Sequence, residues 1–202
     1  AITIDGGTNT ISGLAVGGLP DGVVDGDMLA SGAVSSGKLA SGTGGKVLQV
    51  ITTEVVAATA STTSDSWADI AGMSVAITPS ATSSKIFCIY QIRTDGQMHW
   101  ATRMVRDSTG VGVGTVVGSR YGASAGGLHN YLDSNTQMES MNMVLDSPSS
   151  TSELTYKAQW CQAAGTLYLN RNVNNTDTGG GASTSARDAH SYSAITVFEI
   201  GA

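Results

Sequence analysis

Gly122, Ser124 and Gly126 stand in the spacing G-x-S-x-G, which in hydrolases places a nucleophilic serine on a sharp strand-to-helix turn. His190 with Asp133, Asp146 or Asp177 would complete a Ser, Asp, His order. Such an elbow needs a strand before the serine, a helix after it and a parallel sheet around both, and neither helix nor sheet is legible here. A chain rich in Gly and Ser produces the spacing by chance. The run from Gly32 to Lys38 spaces like a phosphate-binding loop, but Leu39 stands where the hydroxyl that binds Mg²⁺ is required. Gly112 and Gly114 lack the flanking strand, helix and downstream acid of a dinucleotide site. His99, His129 and His190 form no pair at metal-ligand spacing, so no metal or other cofactor is expected. Cys88 and Cys161 fall on an apolar and a polar strand face respectively, which argues against a disulfide. Asp65 with Asp69, or Glu139 with Asp146, would serve glycoside cleavage only if set about 5 to 9.5 Å apart in a cleft. The expectation is therefore a protein that is not an enzyme.

The elements that would position such residues are constrained by composition. The 202 residues include 26 Gly and only 3 Pro, are 41% hydrophobic and 13% charged, and carry a formal net charge of -6. That apolar fraction excludes a disordered chain, and the low charge disfavours a solvated helical bundle. No apolar run approaches the roughly 18 residues of a membrane helix, so no membrane insertion is expected. With 10 Lys+Arg against 16 Asp+Glu and no basic cluster, nucleic acid is excluded as a partner. Ala1 is the kind of small residue left when an initiator Met is removed, and no charged segment followed by an apolar one marks a secretory signal. The expectation is a chain complete at its start and made in the cytoplasm.

Two regions differ in texture. Residues 21–30 align with 31–40 at Gly, Val, Leu and Ala positions, a ten-residue repeat in which Asp25 or Ser35 would cap a single turn closed by Gly32 or Gly42. A unit with two apolar anchors cannot bury them alone. Three copies round an axis would bury Val24, Leu29, Val34 and Leu39 against one another, so residues 1–45 are expected to form a short, extended, Gly-rich stalk of a homotrimer. From Lys46 the pattern changes to strands, expected over 46–57, 66–70, 73–78, 85–93, 99–106, 138–145, 153–161, 166–173 and 192–200. Ile86, Cys88, Tyr90 and Ile92 fall on one face against Lys85, Gln91 and Arg93 on the other, and Leu154, Tyr156, Ala158 and Trp160 against Thr155, Lys157 and Gln159, which describes half-buried antiparallel strands. The last strand is apolar on both faces apart from Glu199, which places it centrally or against a partner subunit. Residues 46–202 are thus expected to be an all-β, jelly-roll-like antiparallel β-sandwich head. The Gly-rich stretches 109–127 and 174–185 read as long surface loops.

The ten-residue repeats, Gly45-Lys46-Val47-Leu48-Gln49-Val50, residues 73–80 with Ser84-Lys85-Ile86, and the closing Ile195-Thr196-Val197-Phe198-Glu199-Ile200 resemble tail-fibre and related appendage proteins of tailed bacteriophages. The resemblance spans nearly the whole chain. It implies a virion structural protein, a short tail fibre or receptor-binding appendage. Its N-terminal segment would contact other virion proteins, and a trimeric head would bind a glycan or protein on the host surface. The same fold would also serve a capsid decoration or tail-joint protein, and the enzyme-class alternative is a surface-polysaccharide depolymerase. Stacking on sugars uses exposed aromatics with amide and hydroxyl neighbours. Trp100, Tyr121, Asn130, Tyr131, Tyr168, Asn172 and Asn174 are the candidates.

Overall fold

The computed structural model describes residues 3–8, 10–12, 29–31, 33–34, 38, 46–57, 59–96, 98–129, 137–174 and 189–201. The chain divides into two units, Ala1–Gly45 and Lys46–Ala202. In the first, β1 (Thr3–Asp5) and β2 (Thr10–Ser12) pair antiparallel, with Thr3 opposite Ser12. The Ala33 N–H donates to the Ala30 carbonyl at 2.9 Å, closing a turn where the two repeats meet. Leu29 and Val34 are exposed in the single chain. Val24 and Leu39 lie outside the described residues.

The second unit is built from β3 (Val47–Val55), β4 (Ser61–Thr62), β5 (Ala68–Ile77), β6 (Lys85–Gly96), β7 (Met98–Arg106), β8 (Thr109–Val111), β9 (Ala125–His129), β10 (Met138–Asp146), β11 (Leu154–Gln162), β12 (Leu167–Leu169) and β13 (Ser193–Ile200). Every pairing is antiparallel, and no α-helix occurs among the described residues, so the fold is all-β. A six-stranded sheet runs β3-β13-β6-β12-β4, with β10 on the far edge of β6. The twelve residues of β6 are long enough for β13 and then β12 to share one of its edges in succession. A five-stranded sheet runs β5-β11-β7-β8, and β9 continues along the β7 edge that β8 occupies.

The two sheets share one core. Ile86, Cys88, Tyr90 and Ile92 of β6 and Leu154, Tyr156, Ala158 and Trp160 of β11 are all buried, on the faces that their alternation assigns to the interior. They meet Ile70, Met73, Val75 and Ile77 of β5 and Ile195 and Val197 of β13. Each large apolar side chain sealed there contributes about 1.5–3 kcal/mol against exposure. A chain of hydroxyls runs through this core. The Tyr90 hydroxyl and Thr102 Oγ1 lie 3.0 Å apart, and Thr102 Oγ1 is 3.0 Å from Ser140 Oγ, a network linking one sheet to the other. At the opposite end Asp146 accepts from Arg106 at 2.5 Å and from the Tyr156 hydroxyl at 2.7 Å.

Four local expectations are corrected. The strands expected at 66–70 and 73–78 are the single strand β5, because Gly72, at φ +81, absorbs a bulge against β11 without ending the ladder. The strand expected over 166–173 ends at Leu169, since Asn170 adopts φ +60 and turns its amide to the Val55 and Ala57 carbonyls, at 2.6 and 3.1 Å. The stretch read as one loop, 109–127, contains β8 and part of β9, whose small residues lie flat along β7. The fourth concerns β4, a two-residue strand too short to leave any periodic signal.

Candidate functional site

The outer face of β5, β11 and β7 carries the side chains that alternate with the core. Asp69 of β5, Lys157 and Gln159 of β11 and Arg103 of β7 are brought side by side by the ladder, where Gln159 faces Asp69 on one neighbour and Arg103 on the other. Lys157 Nζ donates to Asp69 Oδ2 at 2.6 Å, Gln159 Nε2 to Asp69 Oδ1 at 2.6 Å, and Arg103 Nε to Gln159 Oε1 at 2.8 Å. Partial burial works against ionisation of Asp69. The donors Lys157 and Gln159 outweigh it and hold this carboxyl below its usual range. The polar line ends in aromatics. The Arg103 guanidinium sits 4.5 Å over the Trp67 ring, and Trp67 packs against Tyr121 with ring centroids 5.4 Å apart and planes tilted by 50°.

Tyr121 reaches this place by an excursion of the chain. β8 and β9 lie end to end along β7, and residues 112–124 leave the sheet between them. The Gly114 N–H donates to the Ala123 carbonyl at 2.9 Å and closes the base, while the Tyr121 hydroxyl donates to the Asp65 carbonyl at 2.8 Å and pins the outer part. Gly112 is required at the point of departure. Its φ is +60, and a Cβ there would stand 2.9 Å from the Cβ of Val144. The excursion presents Val116, Val117 and Tyr121 to solvent, each more than half exposed. Together with half-buried Trp67 they form an aromatic and aliphatic rim beside a line of amide, carboxylate, ammonium and guanidinium groups. Such a surface stacks on flat apolar faces and hydrogen-bonds hydroxyls or acidic groups at their edges.

The other candidates are placed as follows. Trp100 is 6% exposed, packs in the core, and lies against Gly127 across the β7–β9 pair, so its ring offers no face to a ligand. Asn172 is likewise buried. These two expectations are corrected, because β7 directs Trp100 inward and the segment after β12 carries Asn172 out of solvent. Tyr168 is half-buried with the Arg171 guanidinium 3.8 Å from its ring, and Asn174 is exposed. Asn130 and Tyr131 lie outside the described residues, as do 175–185 of the second expected loop. Sequence reasoning missed Trp67, Arg103 and Gln159. The outward register of Lys157 and Gln159 was legible in the alternation, whereas the pairing that brings Arg103 beside them was not.

The described residues of the remaining chemical motifs are placed as follows. Ser124 is followed by β9 instead of a helix, and its Oγ accepts from the Met104 N–H at 3.2 Å. Asp146 is engaged by Arg106 and Tyr156, and Asp133 and Asp177 lie outside the described residues. Glu139 and Asp146 sit at opposite ends of β10, about 23 Å apart at roughly 3.3 Å per residue, far beyond the span of a glycosidase pair. Glu139 is paired with Arg93 at 2.5 Å. Among the described residues no group of three or more His, Cys, Asp or Glu converges as a metal site. Both cysteines are free, and Cys161, expected on a polar face, is buried like Cys88. Burial raises both thiols above their ordinary value. No helix of the described residues is long and apolar enough to cross a membrane.

No protein-family model matches the chain, and no curated protein matches it significantly in sequence.

Proposed function

We propose that this protein is a non-enzymatic structural component of a tailed-bacteriophage virion, a short tail fibre or receptor-binding appendage that adheres to the host cell surface. In this reading residues 46–202 are a jelly-roll-like β-sandwich head and residues 1–45 an extended stalk, joined as a homotrimer that meets other virion proteins through its N-terminal segment. The resemblance of the repeats and closing strand to phage appendages supports the class. Adhesion is carried by one observation, the rim of Trp67, Tyr121 and Val116 beside the line of Arg103, Gln159, Asp69 and Lys157. Aromatic rings and Arg are the residues that most often dominate binding energy at interfaces. The ligand class that fits is a surface glycan, with acidic sugars favoured by the two cations. Exposed Leu29 and Val34 support assembly through the stalk.

Binding of the labelled full-length chain to a panel of bacterial cells and their purified surface polysaccharides tests this reading. Saturable binding is expected, weakened at least tenfold, or about 1.4 kcal/mol, by Trp67→Ala or Tyr121→Ala, with polymer length unchanged after incubation. Absence of binding to every surface, together with tight binding to virion shell proteins, would replace adhesion by the decoration or tail-joint reading. Shortening of the polymer would establish a depolymerase instead.

A further inference from the structure

The two sheets differ on their outer faces. A sheet face in water normally alternates to polar residues, as the Asp69, Gln159, Lys157 and Arg103 face does. On the outer face of β3, β13, β6 and β10 an apolar band interrupts that pattern between Lys85 at one end and Glu54, Gln91 and Arg93 toward the other. Register places Val50, Phe198, Phe87 and Leu145 in one row across the four strands, and the next row runs Thr52, Thr196, Ile89 and Met143, with the two threonine hydroxyls 3.0 Å apart. Phe87 and Phe198 pack ring against ring at 6.0 Å. Along β10, Met141, Met143 and Leu145 are each more than half exposed. Among the described strands β10 pairs only with β6, and none pairs with its other edge. Open edges are ordinarily protected by Lys, Pro or unpaired inward charges. The charges of β10 stand at its ends, Glu139 held by Arg93 and Asp146 by Arg106, and its centre has none.

We propose that this face is the surface through which copies of the chain associate, with Met143 and Leu145 along its β10 edge; the proposal rests on the homotrimeric reading above and gives it a location in the head. Its exposed apolar side chains offer on the order of 800 Å², about what one partner contributes to a stable interface and more than solitary proteins usually leave bare. A second copy is the occupant that the charges allow. The chain has a net charge of -6, yet the face is uncharged across its middle, so two acidic molecules meet there without repulsion at the contact. β3, which lines the face at Val47, Leu48 and Val50, follows directly on residues 1–45 in the chain. Copies held together by that segment would bring these faces to high effective concentration.

The test is the mass of the full-length chain in solution, by light scattering at micromolar concentration, with hydrogen exchange of residues 138–146 measured on the same protein at high and low concentration. Wild type is expected to be a trimer whose β10 amides exchange at least tenfold more slowly when concentrated. Met143→Glu, on an exposed position and checked for folding by circular dichroism, is expected to shift the mass toward monomer, and Trp67→Ala, on the other sheet, to leave it unchanged. A monomeric wild type, β10 exchange independent of concentration, or a folded Met143→Glu variant that keeps the wild-type mass would each overturn the proposal. The exchange measurement holds even if Met143→Glu fails to fold. Concentration-independent protection in a monomer would mean that a segment of the same chain covers the face. Loss of glycan binding with trimer mass retained would instead sink the adhesion reading alone.

Discussion

Glu199 is the one carboxylate that the closing strand turns inward, and no solvent reaches it. Burial disfavours its charge, but the Ser80 hydroxyl, the Ser80 N–H and the Gln49 amide, each donating at 2.6 Å, outweigh that cost and hold its pKa at about 2. Because the folded value lies below the ordinary 4.5, the stabilisation is complete above that pH and is lost as pH falls through about 2. Glu199→Gln sets an amide against those donors and is expected to lower stability at neutral pH by on the order of 2 kcal/mol, and to flatten the acid limb of stability against pH. Urea unfolding across that range checks both; an unchanged acid limb would contradict the assignment. Tyr156 is held neutral by burial and by the Asp146 carboxylate it donates to. Tyr156→Phe is expected to cost about 1 kcal/mol in the same assay, because Arg106 still holds Asp146. Glu199 was visible in the sequence as the exception in an apolar strand, but its donors were not, since Gln49 lies 150 residues away and only the β3–β13 register brings them together.

At the scale of elements, legibility followed periodicity. Among the long strands β6 and β11 stood out by a buried apolar residue at every second position, and β13 as an apolar run broken only by Glu199. β8 and β9 were read as loop because glycines and small residues dominate them, and their strand character comes from the edge of β7 rather than from their own preference. The same blindness hid the site. Tyr121 was singled out as an exposed aromatic, but its neighbour Trp67 precedes a strand start and gave no signal, while Trp100 looked equivalent and is in the core. The excursion between β8 and β9 depends on Gly112. Gly112→Ala would require both a left-handed backbone and a contact with Val144 that real Cβ atoms do not tolerate. It is expected to cost roughly 1–3 kcal/mol and to weaken ligand binding along with Tyr121→Ala, by displacing the segment that carries Tyr121. Thermal melting and cell binding of the same variant separate the two effects.

At the scale of the unit 46–202, one sheet has a polar outer face with an aromatic rim and the other an outer face crossed by an apolar band; in the proposed reading the first meets a ligand and the second meets other copies of the chain. Three modest sites on one assembly would bind a repeating surface glycan some 10²- to 10⁴-fold more tightly than one site alone. Met143→Glu is therefore expected to reduce adhesion to cells while leaving affinity for a soluble monovalent oligosaccharide unchanged, whereas Trp67→Ala reduces both. Low overall charge fits the same picture, because surface that is hidden between copies needs no charged exterior. The division of labour can be seen directly in a particle. Immunogold labelling of purified phage particles that contain this polypeptide, viewed by electron microscopy, is expected to place gold at the distal end of the tail; gold spread over the capsid shell, or particles free of label, would contradict the receptor-binding assignment.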